Sequence, residues 1–161
     1  EHCLLGAMTI VCSIKMHASE KAVSYFKQGY NCAQATAAAF ADEMRMDEET
    51  VLKVMAGFGA GMGGLRETCG AVSAMVFVAG ASAGSYPPTD RAAKKDLYDK
   101  VKQMIREFVA KHGTTNCGEL LRSASCTAAP DPSERTEEYY AKRPCVRFVA
   151  TAADIIARTP R

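Results

Sequence analysis

Four cysteines of this chain share a local setting that favours reactive thiols or metal ligands. Each follows a residue type that commonly begins an α-helix, either a capping Asn or Thr or a proline. They are Cys32 after Asn31, Cys69 after Thr68, Cys117 after Asn116 and Cys145 after Pro144. Backbone N–H groups in a first helical turn carry partial positive charge, which stabilises a thiolate. We therefore expect all four thiols to have a lowered pKa.

The neighbouring residues place these cysteines on the apolar sides of their helices. Cys69 shares a helical stripe with Val72 and Val76, and Cys145 aligns with Phe148. The other two cysteines have similar apolar neighbours. We expect the four side chains to point inward and to converge on one site. The alternative is that they are buried as small hydrophobic residues without chemistry.

The spacing of the cysteines excludes several local motifs. The sequence has no CxxC and no CxxCH, so it gives no support for a thioredoxin-type motif, a zinc ribbon or covalently attached c-type haem. Any site must be assembled from distant helices. Cys126 lies in a polar segment, and Cys3 and Cys12 lie in an N-terminal apolar run, so these three are not candidates.

A glycine-rich segment, GFGAGMGG, occupies residues 57–64. It matches the dinucleotide-binding pattern GxGxxG formally, but it follows a predicted helix and no βαβ unit surrounds it. We interpret it as a closely packed connector along the cysteine site, where backbone N–H groups contact a cofactor or thiolate. The candidate contact residues are Gly59, Gly61, Gly63, Gly64 and Arg66. Arg66 would lower a thiolate pKa or steer an anionic partner, although a solvated salt bridge is the simpler role.

Four sequence blocks together resemble one protein family. They are GYNCAQA (29–35), GFGAGMGGLRETCGA (57–71), NCGELL (116–121) and the single Cys145. In this order they resemble the redox-active family named C_GCAxxG_C_C after its four cysteines, over roughly residues 20–156. The resemblance implies that the family cysteines are Cys32, Cys69, Cys117 and Cys145. Ala74 stands where the family's CGAxxG segment ends in glycine. The added methyl group makes the close packing that the resemblance implies at that turn uncertain.

Caps and apolar periodicity predict an all-α, single-domain bundle of about six helices. Ser19 is the predicted cap of the first helix, and the longest helix spans residues 90–111. The helix after Thr68 is apolar almost all round, which predicts a central position. Residues 123–143 are polar and contain prolines, so we expect a surface loop there.

The sequence divides into an N-terminal extension or leader, residues 1–18, and a helical domain, residues 19–161. The apolar run at 3–14 is too short to span a bilayer. It also lacks the basic flank and cleavage site of a signal peptide. We interpret it as an extension or tag that docks on an apolar groove.

Composition limits the partners and the compartment. The formal net charge of +2 gives no basis for nucleic-acid binding. No segment is apolar for long enough to span a membrane. Seven cysteines, an odd number without a secreted spacing pattern, favour a reducing compartment such as the cytoplasm. Helices rich in Ala and Gly and the stripe on the long helix predict a homodimer.

These observations predict a redox function for the four cysteines. They either ligate an iron–sulfur cluster for electron transfer or cycle between thiol and disulfide, as an oxidoreductase or electron-transfer protein would. Four inward thiolates match a four-ligand site, which favours the metal version. The alternatives are a structural zinc site and a helical interaction module with inert buried cysteines. The sequence does not identify the redox partner.

Overall fold

A computed structural model describes residues 16–127, 129 and 131–160. Within these residues the chain is α-helical without β-strands, which confirms the predicted all-α class. Residues 1–15 of the predicted extension, with Cys3 and Cys12, lie outside the described residues. The helices are α1 Ala18–Lys27, α2 Cys32–Ala38, α3 Ala41–Met44, α4 Glu48–Met55, α5 Gly59–Met62, α6 Gly70–Ala83, α7 Arg91–His112, α8 Cys117–Ser123, α9 Glu137–Lys142 and α10 Cys145–Arg158. A 3₁₀ turn, Ala56–Phe58, joins α4 to α5.

The prediction of about six helices is too low because several segments divide into short helices. The segment after Asn31 divides into α2 and α3. A further helix, α9, lies in the region predicted to be a loop, residues 123–143. Thr136 caps α9 by accepting a hydrogen bond from the Tyr139 backbone N–H at 3.1 Å. The Tyr140 hydroxyl donates to the Phe26 carbonyl at 3.1 Å, which docks this segment on α1.

Side-chain caps fix where two of the site-forming helices, α2 and α8, begin. The Asn31 Oδ1 accepts hydrogen bonds from the backbone N–H groups of Ala33 and Gln34 at 3.0 and 2.9 Å. The Gln34 side chain in turn accepts from the Asn31 N–H at 3.1 Å, which completes a capping box. The Asn116 side chain caps α8 by accepting a hydrogen bond from the Glu119 backbone N–H at 3.0 Å. Both caps were predicted.

Two predicted helix starts differ from the structure. Helix α1 begins at Ala18 with His17 as its cap, two residues before the predicted cap, Ser19. Helix α6 begins at Gly70, so Cys69 is itself the cap residue and Thr68 precedes it. Cys69 therefore lies just outside its helix, whereas the other three site cysteines are the first residues of theirs.

The core is formed where α2 and α6 pack against each other and against α1 and α10. The alanines of α2 are fully buried, and their small side chains allow the neighbouring helices to approach closely. Ala74 of α6 is also fully buried, so the structure accommodates a methyl group where the family has glycine. On the opposite side of α6, Val76 is 41% exposed, so the helix is central but not covered all round. No helix among the described residues is long and apolar enough to cross a membrane.

A cavity lined by four cysteines

The four predicted cysteines line one cavity of about 550 Å³. They come from the starts of four different helices, so the predicted convergence is present. The predicted connector forms part of the same wall through Gly59, Gly63 and Gly64, and Arg66 lines the cavity as well. Cys126 does not line it, and its thiol donates to the Lys142 carbonyl at 3.1 Å.

Cys32 has the most polar surroundings of the four. The Cys69 thiol donates a hydrogen bond to the Cys32 sulfur. Three backbone N–H groups, from Ala60, Ala33 and Gly70, also point at that sulfur. Together these donors outweigh the effect of burial and lower the Cys32 pKa to about 6. Cys32 is therefore a thiolate at neutral pH.

Cys69 is the proton donor of the pair. Its pKa is raised well above the ordinary range, first because it donates to Cys32 and then because it is buried. The negative charge on Cys32 raises it further. The two residues thus share one proton near neutral pH, with Cys32 as the thiolate and Cys69 as the thiol.

The other two cysteines are neutral thiols at the same cavity. Burial raises the pKa of Cys117, although a hydrogen bond with Arg66 partly opposes this effect. Burial also raises the pKa of Cys145 to about 12, and the charge on Cys32 adds to the shift. The prediction that all four thiols have a lowered pKa is therefore wrong for Cys69, Cys117 and Cys145. For these three thiols, burial away from water raises the pKa by more than the partial positive charge of the helix N-terminus lowers it.

A short backbone bridge holds Cys69 and Cys117 on the same wall. The Cys69 N–H donates to the Thr115 carbonyl at 2.8 Å, and the Cys117 N–H donates to the Glu67 carbonyl at 2.6 Å. Between them, Thr68 and Asn116 form an isolated antiparallel bridge. Because both cysteines directly follow bridge residues, their spacing depends on the backbone rather than on flexible side chains.

The connector approaches the cysteines so closely that glycine is required at two positions. A Cβ on Gly61 would lie 2.7 Å from the Cys117 Cβ, and one on Gly59 would lie 2.5 Å from the Asn31 amide nitrogen. Gly61 also has a φ of +68°, which favours glycine. Ala60 between them is left-handed at φ 54°, and its N–H reaches Cys32. Gly61 lies behind Cys117 and is not among the cavity-lining residues.

Gly70 has the same steric role directly beside the reactive sulfur. A Cβ there would lie 2.6 Å from the Cys32 Sγ and 2.9 Å from the Phe58 carbonyl oxygen. The Cys-Gly step at 69–70 therefore does two things. It supplies a thiol donor and an N–H donor to Cys32, and it leaves space for the Cys32 sulfur.

The opposite wall contains residues that the sequence analysis missed. Arg135, Tyr139 and Arg143 line the cavity from the segment predicted to be a loop. The Arg135 guanidinium lies 4.9 Å from the centre of the Phe26 ring and 4.6 Å from that of Tyr139. The available signal was the capped run TEEYYAKR, which combines a helix start with adjacent aromatic and basic residues.

Comparison with known families shows to which family the chain belongs. Residues 30–159 match the family described as "Putative redox-active protein (C_GCAxxG_C_C)". The chain belongs to this family. The four cysteines on which the resemblance was based are the four that line the cavity of this C_GCAxxG_C_C protein. Searches of curated proteins and of solved structures found no match.

The cysteines of this C_GCAxxG_C_C protein form no preformed metal site among the residues that the structure describes. Among the residues described, no three His, Cys, Asp or Glu side chains are grouped so that they could hold one metal ion. Cys32 and Cys69 are in direct hydrogen-bond contact. The observed donor set is a thiolate–thiol pair with two separate thiols.

Proposed function

We propose that this C_GCAxxG_C_C protein is a thiol–disulfide oxidoreductase that uses Cys32 as nucleophile and Cys69 as the second thiol. The contact between the two sulfurs is the observation that carries the proposal, because it prepares a thiolate and its partner in one cavity. A low-pKa cysteine beside a second cysteine is the arrangement that disulfide exchange requires.

The reaction consists of two exchanges. The Cys32 thiolate attacks one sulfur of a substrate disulfide, a mixed disulfide forms, and the first substrate thiolate leaves. Cys69 then loses its proton to that leaving thiolate and attacks the Cys32 sulfur, which releases the second substrate thiolate. In total, two protein thiols are oxidised to one disulfide and one substrate disulfide is reduced to two thiols. A dithiol reductant regenerates the pair by the reverse exchange.

The surroundings of the pair support both exchanges. Three N–H groups stabilise negative charge on Cys32, which makes it a nucleophile before substrate binds and a leaving group in the reverse direction. Cys117 and Cys145 remain protonated at neutral pH because their pKa values are raised. They would therefore not compete with Cys32 for the first attack.

Disulfide mapping tests the proposal directly. The anaerobically purified, reduced protein is treated with one equivalent of a small disulfide, and its cysteine peptides are identified by mass spectrometry. We expect a Cys32–Cys69 disulfide and two equivalents of released small thiol. A protein that carries stoichiometric iron or zinc, or shows visible absorbance that is lost in Cys32→Ser, would support the metal interpretation instead.

Oligomeric state and compartment remain predictions. The alanines of α2 are buried within the chain and therefore do not supply a dimer surface. A homodimer would have to use other faces, such as α7, where Tyr98 is 56% exposed. Sedimentation tests the dimer, and a monomer at all concentrations would exclude it. An odd number of cysteines without a secreted spacing pattern favours the cytoplasm, which fractionation of cells would test.

A further inference from the structure

Three arginines line the cysteine cavity, and none of them has a carboxylate partner among the residues that the structure describes. None of the ion pairs found among the described residues includes Arg66, Arg135 or Arg143. Arg66 donates to the Ala129 carbonyl at 2.6 Å, and Arg143 makes a long contact of 3.4 Å with the Ser133 hydroxyl. Within the described part of the chain, their positive charges are therefore not neutralised by ion pairs with neighbouring side chains.

Arg135 is the strongest indication of a missing ligand. Its Nη1 atom is buried and has no hydrogen-bond partner among the described residues. The guanidinium is held instead by the faces of the Phe26 and Tyr139 rings, at 4.9 and 4.6 Å from their centres. Aromatic faces position an arginine without using its N–H groups. A buried donor without a partner normally lowers the stability of a protein. The simplest reason for such a donor is that it binds an acceptor group of a ligand.

The charge of the cavity favours an anion. Asp131 is the one carboxylate among the described lining residues, against three arginines. Even with the Cys32 thiolate counted, positive charge exceeds negative charge at this surface. The cavity volume of about 550 Å³ lies within the range typical of small-molecule sites.

From these observations we propose that the cavity binds a small disulfide that carries carboxylate groups, with arginines of the Arg135–Arg143 wall as its anion contacts. This inference rests on the proposed function, because it specifies the substrate class of the same cysteine site. Guanidinium groups bind carboxylates through paired hydrogen bonds and are well suited to orient such a substrate. The electron balance is unchanged: the Cys32–Cys69 dithiol is oxidised and the carboxylated disulfide is reduced to two carboxylated thiols.

A matched set of disulfides tests the substrate class. The reduced, full-length protein is mixed with dithiodipropionate, its neutral dimethyl ester or cationic cystamine, and the rate constant of thiol oxidation is measured. We expect the dianion to react roughly tenfold faster than the ester and cystamine to be slowest, with the difference shrinking at high salt. Equal rates for the dianion and the ester would overturn the inference while leaving disulfide exchange intact.

Arginine variants locate the anion contacts. Arg135→Gln and Arg143→Gln should each reduce the dianion-to-ester ratio about threefold or more. Arg106→Gln removes the same charge from the exposed side of α7, outside the cavity, and should leave the ratio unchanged. If Arg106→Gln lowers the ratio as much as the cavity variants do, the arginines act only through net charge, and the proposed contacts are wrong.

A non-reactive ligand separates this inference from the proposed function. Suberate has the length of dithiodipropionate but no disulfide, so its binding does not depend on cysteine chemistry. We expect suberate to bind the wild type and Cys32→Ser similarly by NMR titration, and Arg135→Gln more weakly. Suberate binding without reaction of any disulfide would overturn the redox function alone. Absence of suberate binding to a reactive protein would overturn the anion site alone.

Discussion

Cys32 and Cys145 occupy equivalent places and behave in opposite ways. Each is the first residue of its helix, α2 or α10, and both line the same cavity. The pKa of Cys32 is lowered to about 6, whereas that of Cys145 is raised to about 12. The macrodipole of a helix is available to both residues, so it cannot account for the difference.

Direct donors distinguish the two residues. The Cys32 sulfur accepts from the Cys69 thiol and from three backbone N–H groups. For Cys145, burial is the largest influence, and the nearby charge on Cys32 disfavours a second thiolate. A helix start therefore activates a cysteine only where other elements aim hydrogen-bond donors at the sulfur. The connector and the start of α6 supply those donors to Cys32.

The largest effect should come from removing the reactive sulfur. Cys32→Ser should reduce the rate of iodoacetamide labelling at pH 7 by about a hundredfold, because the remaining site thiols are neutral. Site-resolved mass spectrometry of the labelled peptides measures this rate. Cys145→Ser and Cys126→Ser serve as controls and should leave Cys32 labelling unchanged. Equal losses in all three variants would contradict the distinction between the two helix starts.

Removing the thiol donor should make Cys32 resemble Cys145. In Cys69→Ala, the Cys32 pKa should rise toward the ordinary cysteine range, and its labelling at pH 7 should fall about tenfold. The pH dependence of thiolate absorbance measures the shift. Cys117→Ala is the matched control, since Cys117 is not one of the groups that lower the Cys32 pKa. An unchanged titration in Cys69→Ala would show that the backbone donors alone are sufficient.

Alanine substitutions at two glycines of α6 should have opposite effects on stability, depending on whether the glycine lies beside Cys32. Gly70→Ala places a Cβ 2.6 Å from the Cys32 sulfur and should cost about 1–3 kcal/mol in the free energy of unfolding. It should also raise the Cys32 pKa by displacing the donors. A Cβ on Gly80 meets no atom within 4 Å, so Gly80→Ala should stabilise the helix by about 0.5–1 kcal/mol. Denaturant unfolding measures both changes, and equal effects would contradict the close packing at Gly70.

The smallest effect concerns the pH dependence of stability. Between pH 6 and 9 the unfolded chain holds a proton on Cys32 that the folded protein has lost. The stability of the reduced protein should therefore increase with pH in this window, by roughly 1 kcal/mol per pH unit at most. Above pH 9 the raised pKa values of Cys117 and Cys145 should reverse the trend. Cys32→Ser should flatten the rise, and a rise of equal slope in that variant would assign it to other groups.

Sequence reasoning found the four cysteines that line the cavity because local signals were sufficient for them. Asn31 and Asn116 cap their helices as predicted, so the helix starts that carry Cys32 and Cys117 could be found from residue types alone. Gly59 and Gly61 were interpreted as close-packed positions, and the structure gives the contacts. The convergence of four distant cysteines followed from their shared position on apolar faces.

The remaining features depend on contacts that are distant in sequence. The direction of each pKa shift depends on which donors reach which sulfur, and Ala60 and Cys69 come to Cys32 from other elements. The cavity wall formed by Arg135, Tyr139 and Arg143 was missed, because polar residues and prolines around a six-residue helix indicate a loop. Its docking depends on a hydrogen bond from Tyr140 to Phe26, which joins the two ends of the domain.

Site-resolved labelling across pH tests the central claim most directly. The reduced wild-type protein is exposed briefly to iodoacetamide from pH 4 to pH 11, and the labelling of each cysteine is quantified by mass spectrometry. Our account predicts that Cys32 is labelled first, with a midpoint near pH 6, and that Cys145 is not labelled appreciably below pH 10. Labelling of Cys145 or Cys117 before Cys32, or a common midpoint for all four, would contradict it.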